Sequence, residues 1–213
     1  MANNIIQSYP LPSIQRLPIY LRLLKEARDR GETIISCTKI SEEVNQLSVQ
    51  IRKDLSITGI VGRPKVGYKI NDLIAAIETF LGWNRKTNAF LIGAGSLGSA
   101  ILKYEGFVEH GLNIVAAFDV NPELFGKTIH QCSIYPIEKL TELAKDQTIE
   151  IGILTVPANV AQKAADLLLE IGVQAIWNYT PARLDLPALV ICEDVKLSAS
   201  FAVLSSRLMN RGV

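Results

Sequence analysis

The chain has 213 residues, more than one ordinary compact domain, which points to two units of roughly 80 and 120 residues. Hydrophobic residues make up 48% of it and charged residues 20%, a globular composition that excludes a disordered or fibrous chain. The formal net charge is +1, yet from Arg16 to Lys86 Lys and Arg number 13 against fewer acids, so a surface for a polyanion belongs to the N-terminal half, although an ordinary solvated surface has the same look.

Cys37, Cys132 and Cys192 are odd in number and far apart, which argues against a disulfide framework and for a reducing, cytoplasmic setting. No basic segment precedes an apolar run at the N-terminus and no run of about 18 apolar residues occurs, so neither a signal peptide nor a membrane span is expected. With His110 and His130 as the two histidines and no close cysteine pair, no metal site is expected.

Residues 1–15 are polar, carry Pro10 and Pro12, and read as a loose arm. Pro18 suits a first helical turn, with Leu17, Leu21 and Leu24 on one face and Gly31 as the stop. A second helix is predicted from about Thr38 to Asn45, with Ile40 and Val44 inward, and a third from Ser48, as its cap, to about Ile57. At about 100° per residue, Ile51, Leu55 and Thr58 share one side of it. Gln50, Arg52, Lys53 and Ser56 fan across the other side. Gly59, Gly62, Pro64 and Gly67 then break the chain around a basic tip of Arg63 and Lys65, where a winged helix carries its wing. Ile70 and Asn71 look like a staple and cap for a helix burying Ile74, Ile77 and Leu81 and closing at Gly82. The boundary falls at Trp83–Lys86, giving an expected winged helix-turn-helix over 1–83.

From Asn88 onward, short apolar runs alternate with helical segments: 89–92, 114–118, 151–156, 175–177 and 189–191. That alternation indicates α/β architecture, a Rossmann-type parallel sheet over 84–195 covered on both faces. A last helix from about Ser198 to Met209 places Phe201, Leu204 and Leu208 on one apolar face with little domain left to cover it, so residues 196–213 are expected to pack on a second subunit.

The strongest motif is Gly93-Ala94-Gly95-Ser96-Leu97-Gly98, after a predicted strand and opening a helix. Its first glycine permits a tight turn, the second lets a pyrophosphate approach the backbone, and the third brings helix against strand. Asp119 ends the next strand, where an acid accepts bonds from the adenosine ribose hydroxyls and repels a 2′-phosphate, favouring NADH/NAD+ over the phosphorylated form; a turn cap before Asn121-Pro122 is the plainer reading. Thr155, Val156 and Pro157 end another strand on the same edge, and Asn178 a further one that reaches toward a nicotinamide or merely turns the chain. Neither histidine follows a predicted strand, so no acid–base pair accompanies the cofactor site, which favours sensing over turnover.

Taken in order, Arg16-Leu17-Pro18-Ile19-Tyr20, Gln50-Ile51-Arg52-Lys53-Asp54-Leu55-Ser56, Val66-Gly67-Tyr68, the glycine-rich run, Tyr104-Glu105-Gly106-Phe107, Ala116-Ala117-Phe118-Asp119 and Leu154-Thr155-Val156-Pro157-Ala158 resemble the Rex family of redox-sensing transcriptional repressors over nearly the whole chain. The resemblance implies a homodimer with exchanged C-terminal helices that binds double-stranded operator DNA and releases it with NADH. Carried over by position, Arg52 and Lys53, with Ser48, Gln50, Ser56, Arg63 and Lys65 around them, meet DNA. It further implies a switch joining Arg22, Tyr104 and a partner acid, at whose position the natural alignment puts Lys196, with Asp194 or Glu193 serving after a shift of register. The wing, Gly62-Arg63-Pro64-Lys65, departs from the family's usual tip. A reading from a different class is a small NAD-linked oxidoreductase, and a third is a DNA-binding regulator with a weakened nucleotide response.

Overall fold

A computed structural model of the chain describes residues 9–212. It divides into two compact units, residues 1–85 and 86–213. The first runs α1 (Leu11–Asp29), β1 (Ile34–Ile35), α2 (Cys37–Val44), α3 (Ser48–Ser56), β2 (Tyr68–Lys69) and α4 (Ile70–Leu81). Leu17, Tyr20, Leu21 and Leu24 of α1 are fully buried with Ile40, Ile51, Leu55, Leu73 and Ile77; each such leucine contributes about 1.5–3 kcal/mol relative to exposure. Ser36 caps α2 by accepting the Lys39 amide at 3.1 Å. Left-handed Asn45 ends it and swings the chain into α3. β1 and β2 pair antiparallel, Ile35 opposite Tyr68. The wing closes ahead of β2, where Arg63 and Gly67 exchange backbone bonds of 2.8 and 2.9 Å. Gly67, at φ +107°, is required there, because a Cβ would strike the Ile35 carbonyl oxygen.

The second unit runs β3 (Thr87–Ile92), α5 (Ser96–Leu102), α6 (Gly106–Glu109), β4 (Leu112–Asp119), β5 (Thr128–Ile129), β6 (Cys132–Pro136), α7 (Leu140–Leu143), β7 (Ile151–Leu154), α8 (Ala158–Glu170), β8 (Ala175–Asn178), β9 (Ile191–Asp194) and α9 (Leu197–Met209). The sheet order is β5-β6-β4-β3-β7-β8-β9. All pairs are parallel except β5 with β6. Its two faces carry separate cores, one around Phe90, Phe118 and Leu168, the other around Leu91, Ala117 and Ile153. The chain leaves β3 toward β4 and returns on its other side at β7, so the β3/β7 crevice is the switch point where open α/β sheets bind ligands.

Several expectations need correction. Residues 1–8 of the expected arm lie outside the described residues, but α1 already begins at Leu11 with Pro12 in its first turn, and Pro18 stands inside it. Pro18 costs the Ile14 carbonyl its usual partner; the buried row Leu17, Tyr20, Leu21 and Leu24 carries the helix across. Ser48 is the first residue of α3 rather than its cap; Leu47 occupies that place with no side-chain bond. Asn71 likewise does not cap α4, where Lys69 precedes Ile70 without one. The last strand is displaced from 189–191 to Ile191–Asp194, since Gln174 draws in the Ile191 amide and β8 sets the register. The β5–β6 pair was not predicted.

Candidate functional site

The glycine-rich loop is built at the carboxyl end of β3. Gly93 adopts φ +100°, and its amide bonds the Phe118 carbonyl at 2.8 Å. Thr155, just past β7, donates its hydroxyl to the Gly93 carbonyl at 2.6 Å, tying the loop to the neighbouring strand. A Cβ on Gly98 would overlap the Gly93 carbonyl oxygen, so the third glycine is demanded by packing within the protein. Nothing lies within 4 Å of a Cβ built on Gly95, so the second glycine leaves space that the protein does not use. Gly95 thus stands at the open mouth of the crevice, where a fold of this kind brings a pyrophosphate close to the backbone. Ala94 is buried, while Ser96 and Leu97 are exposed at the opening turn of α5.

Asp119 faces this loop. One carboxylate oxygen accepts the Ala94 amide at 2.7 Å and the other the Asn121 amide at 2.9 Å. The turn-cap reading and the ligand reading are therefore compatible, because a carboxylate offers about four acceptor positions and two are occupied. Gly93, Gly95, Asp119, Thr155, Val156 and Pro157 line one cavity. Its other wall is Ile92, Val120, Ile137 and a face of α8, Val160, Lys163, Ala164 and Leu167, residues that sequence reasoning passed over. The α8 spacing i, i+3, i+4, i+7 was visible, but an apolar helical stripe reads first as core.

Asn178 behaves differently from the expectation. It is fully buried, its amide nitrogen donates to the Ala182 carbonyl and to Asp194, and its oxygen accepts the Thr180 amide and hydroxyl. All four of its hydrogen-bonding positions are filled, so it holds the loop 179–182 in place and has no side-chain capacity for a ligand. His130 sits in the β5–β6 turn and His110 at the end of α6, and neither lines the cavity.

In the first unit, α3 turns Ile51, Asp54 and Leu55 inward. Arg52, Lys53 and Ser56 are exposed, and Ser48 and Gln50 half-buried. Arg52, Ser56, Arg63 and Lys65 line one groove between α3 and the wing, while Gln50 and Lys53 line another beside the start of α1. The residue that sequence reasoning did not single out is Asp54. Its buried carboxylate takes Arg16 Nε at 2.6 Å and Nη2 at 2.7 Å, the Tyr20 hydroxyl at 2.7 Å and Gln50 Nε2 at 2.8 Å. Burial alone pushes its pKa up; the donors from Arg16, Tyr20 and Gln50 outweigh it and hold it at about 2. Tyr20 is pushed well above the usual phenol range, by burial first and then by its bond to Asp54. Gln50 is thereby committed to the interior side of the helix.

Of the three residues tied to a switch, Arg22 is exposed beside Glu26 at 4.0 Å, Tyr104 packs edge-on against Phe107, and Lys196 is exposed immediately before α9. Asp194 accepts the Asn178 amide at 2.9 Å.

A basic winged helix-turn-helix joined to a parallel sheet with a glycine-rich ligand crevice defines a ligand-responsive transcription regulator. Residues 84–182 match the family described as "CoA binding domain" and residues 9–56 that described as "Putative DNA-binding protein N-terminus". The redox-sensing transcriptional repressor Rex of Treponema denticola is 48% identical over 91% of this chain and 92% of that protein. Its counterpart from Bacteroides fragilis is 42% identical over 97% and 96%. The crystal structure of RSP in complex with beta-NAD+ and operator DNA aligns at a TM-score of 0.89 and 36% identity, over 97% of this chain and 95% of that one. RSP in complex with beta-NADH aligns at 0.84 and 36%, over 96% of each chain. The chain belongs to the Rex family of redox-sensing transcriptional repressors.

Proposed function

We propose that this chain works as a homodimer that holds operator DNA through Arg52, Lys53, Ser56, Arg63 and Lys65 and lets it go when NADH is bound in the β3/β7 crevice. The observation that carries the reading is the unused space at Gly95 beside an Asp119 carboxylate with acceptor capacity to spare. Gly95, Ser96 and Leu97, exposed where α5 opens, would face the pyrophosphate, with Gly93, Ala94 and Gly98 shaping the loop behind them, and Asp119 would meet the adenosine ribose. Thr155, Val156 and Pro157 would close the crevice. The ionisable side chains lining the cavity are Asp119 and Lys163. The structures of RSP with beta-NAD+ and operator DNA and with beta-NADH support the same two ligands for this chain.

A second copy would cover α9, on which Leu197, Phe201, Leu204 and Leu208 share one face and are each more than half exposed; an unpartnered apolar face of this kind suits an interaction site. Residues 1–83, 84–195 and 196–213 are the working divisions: reader, sensor and dimer helix. Arg22, Tyr104 and Lys196, or in its place Asp194 or Glu193, would couple them. Calorimetric titration with NAD+, NADH and NADPH, paired with operator-shift assays, tests the reading. NADH should bind and raise the operator dissociation constant; operator binding indifferent to saturating NADH refutes it.

A further inference from the structure

Around α3, at about 100° per residue, the exposed side chains form one sector in the order Arg52, Ser56, Val49, Lys53. Val49 stands in the middle of it, 59% exposed, and Leu47 just before the helix is 78% exposed. A lone exposed valine needs no explanation in general. This one lies at the centre of a cationic helix face, flanked by Arg52 and Lys53, with Arg63 and Lys65 of the wing exposed nearby.

Helix-turn-helix proteins bring the N-terminal residues of this helix against base edges. Of the first three here, Ser48 is half-buried and Gln50 is half-buried with its amide donated to Asp54. Val49 is the one directed outward. The apolar group that a base edge offers in the major groove is the 5-methyl of thymine. We infer that Val49 is a specificity-determining residue that packs on thymine methyl groups in the operator, with Arg52 and Lys53 gripping the acceptors and phosphates on either side. The inference rests on the reading of α3 as the DNA-contacting helix.

The test uses the full-length protein and a duplex selected from a random library for tightest binding to the wild type. Thymines in that duplex are replaced one position at a time by deoxyuridine, which removes the methyl group alone, and dissociation constants are read by fluorescence anisotropy. At thymines facing α3, the wild type should weaken by about fourfold per buried methyl. Val49→Ala, at an exposed position that Ala suits at least as well, should bind the thymine duplex more weakly and distinguish deoxyuridine less than the wild type does, since its shorter side chain keeps only part of the methyl contact. Arg52→Ala should bind more weakly yet keep the discrimination. A wild type that binds the duplex but ignores every methyl, or a Val49→Ala protein that remains as methyl-sensitive as wild type, overturns the inference alone. A wild type that selects no duplex overturns it together with the DNA-binding reading.

Discussion

Asp54→Asn tests whether the DNA-contacting helix is held by a buried charge rather than by its apolar side alone. The carboxylate is fully buried and accepts four bonds between 2.6 and 2.8 Å. Its folded pKa of about 2 lies below the ordinary 3.8, and at about 1.36 kcal/mol per unit the shift is worth about 2 kcal/mol. Because the folded value is depressed, that stability is fully present above about pH 4–5 and is lost as the pH falls toward 2. Asn keeps the shape but loses the charge and turns a donor toward Arg16, so the variant should be less stable than wild type by about 2 kcal/mol at pH 7. The gap should narrow as both proteins are taken toward pH 2, where about half of the wild-type carboxyl is neutral. Asp54→Ala, which also leaves the buried Tyr20 hydroxyl without its acceptor, should cost more, by a further roughly 1–3 kcal/mol for the unsatisfied group. Trp83 packs against the first unit's core, so urea unfolding followed by its fluorescence in a Trp177→Phe background reports this unit. Equal stability at pH 7, or a gap unchanged at pH 2, would refute the argument.

The two glycines of the ligand loop should separate folding from binding. Gly98→Ala meets the Gly93 carbonyl and should destabilise the second unit by roughly 1–3 kcal/mol through overpacking, read as a lower melting temperature. Gly95→Ala meets nothing and should melt like wild type while losing NADH affinity at least about tenfold by calorimetry. Asp119→Ala should weaken NADH by about tenfold or more, as expected for lost bonds to a charged group, and should erase discrimination against NADPH; a wild type that already binds both equally contradicts the assignment. Lys196→Asp should enlarge the NADH effect on operator affinity if Lys196 occupies the switch position, since a cation there meets Arg22 with repulsion of about 1 kcal/mol or less at an exposed site. An unchanged or smaller effect would show that Lys196 does not interrupt the switch, leaving Asp194 or Glu193 for that place.

Much of the fold was legible because its causes are local. The 3.6-residue spacing of Ile51 and Leu55, the left-handed stops at Gly31 and Gly82, and the glycine-rich loop with its positive φ at Gly93 are each written within a few residues. The alternation of apolar runs and helices likewise announced the parallel sheet. The β5–β6 pair escaped because its turn uses His130 and Gln131 at φ +45° and +67°, where the usual glycine or asparagine signal is missing. Ser48 and Asn71 misled because a capping residue type was present one position past the cap of α3 and two past that of α4. The site divides the same way: sequence marked Gly93, Gly95, Gly98, Asp119 and Thr155. Tertiary structure alone decided that α8 supplies the facing wall, that Asn178 is spent on its own loop, and that Asp54 is buried. Asp54 is bound by Arg16, 38 positions away. A charged residue in a helix is a surface residue by every local criterion, and only the arrival of a distant guanidinium and hydroxyl makes its burial cheaper than its hydration.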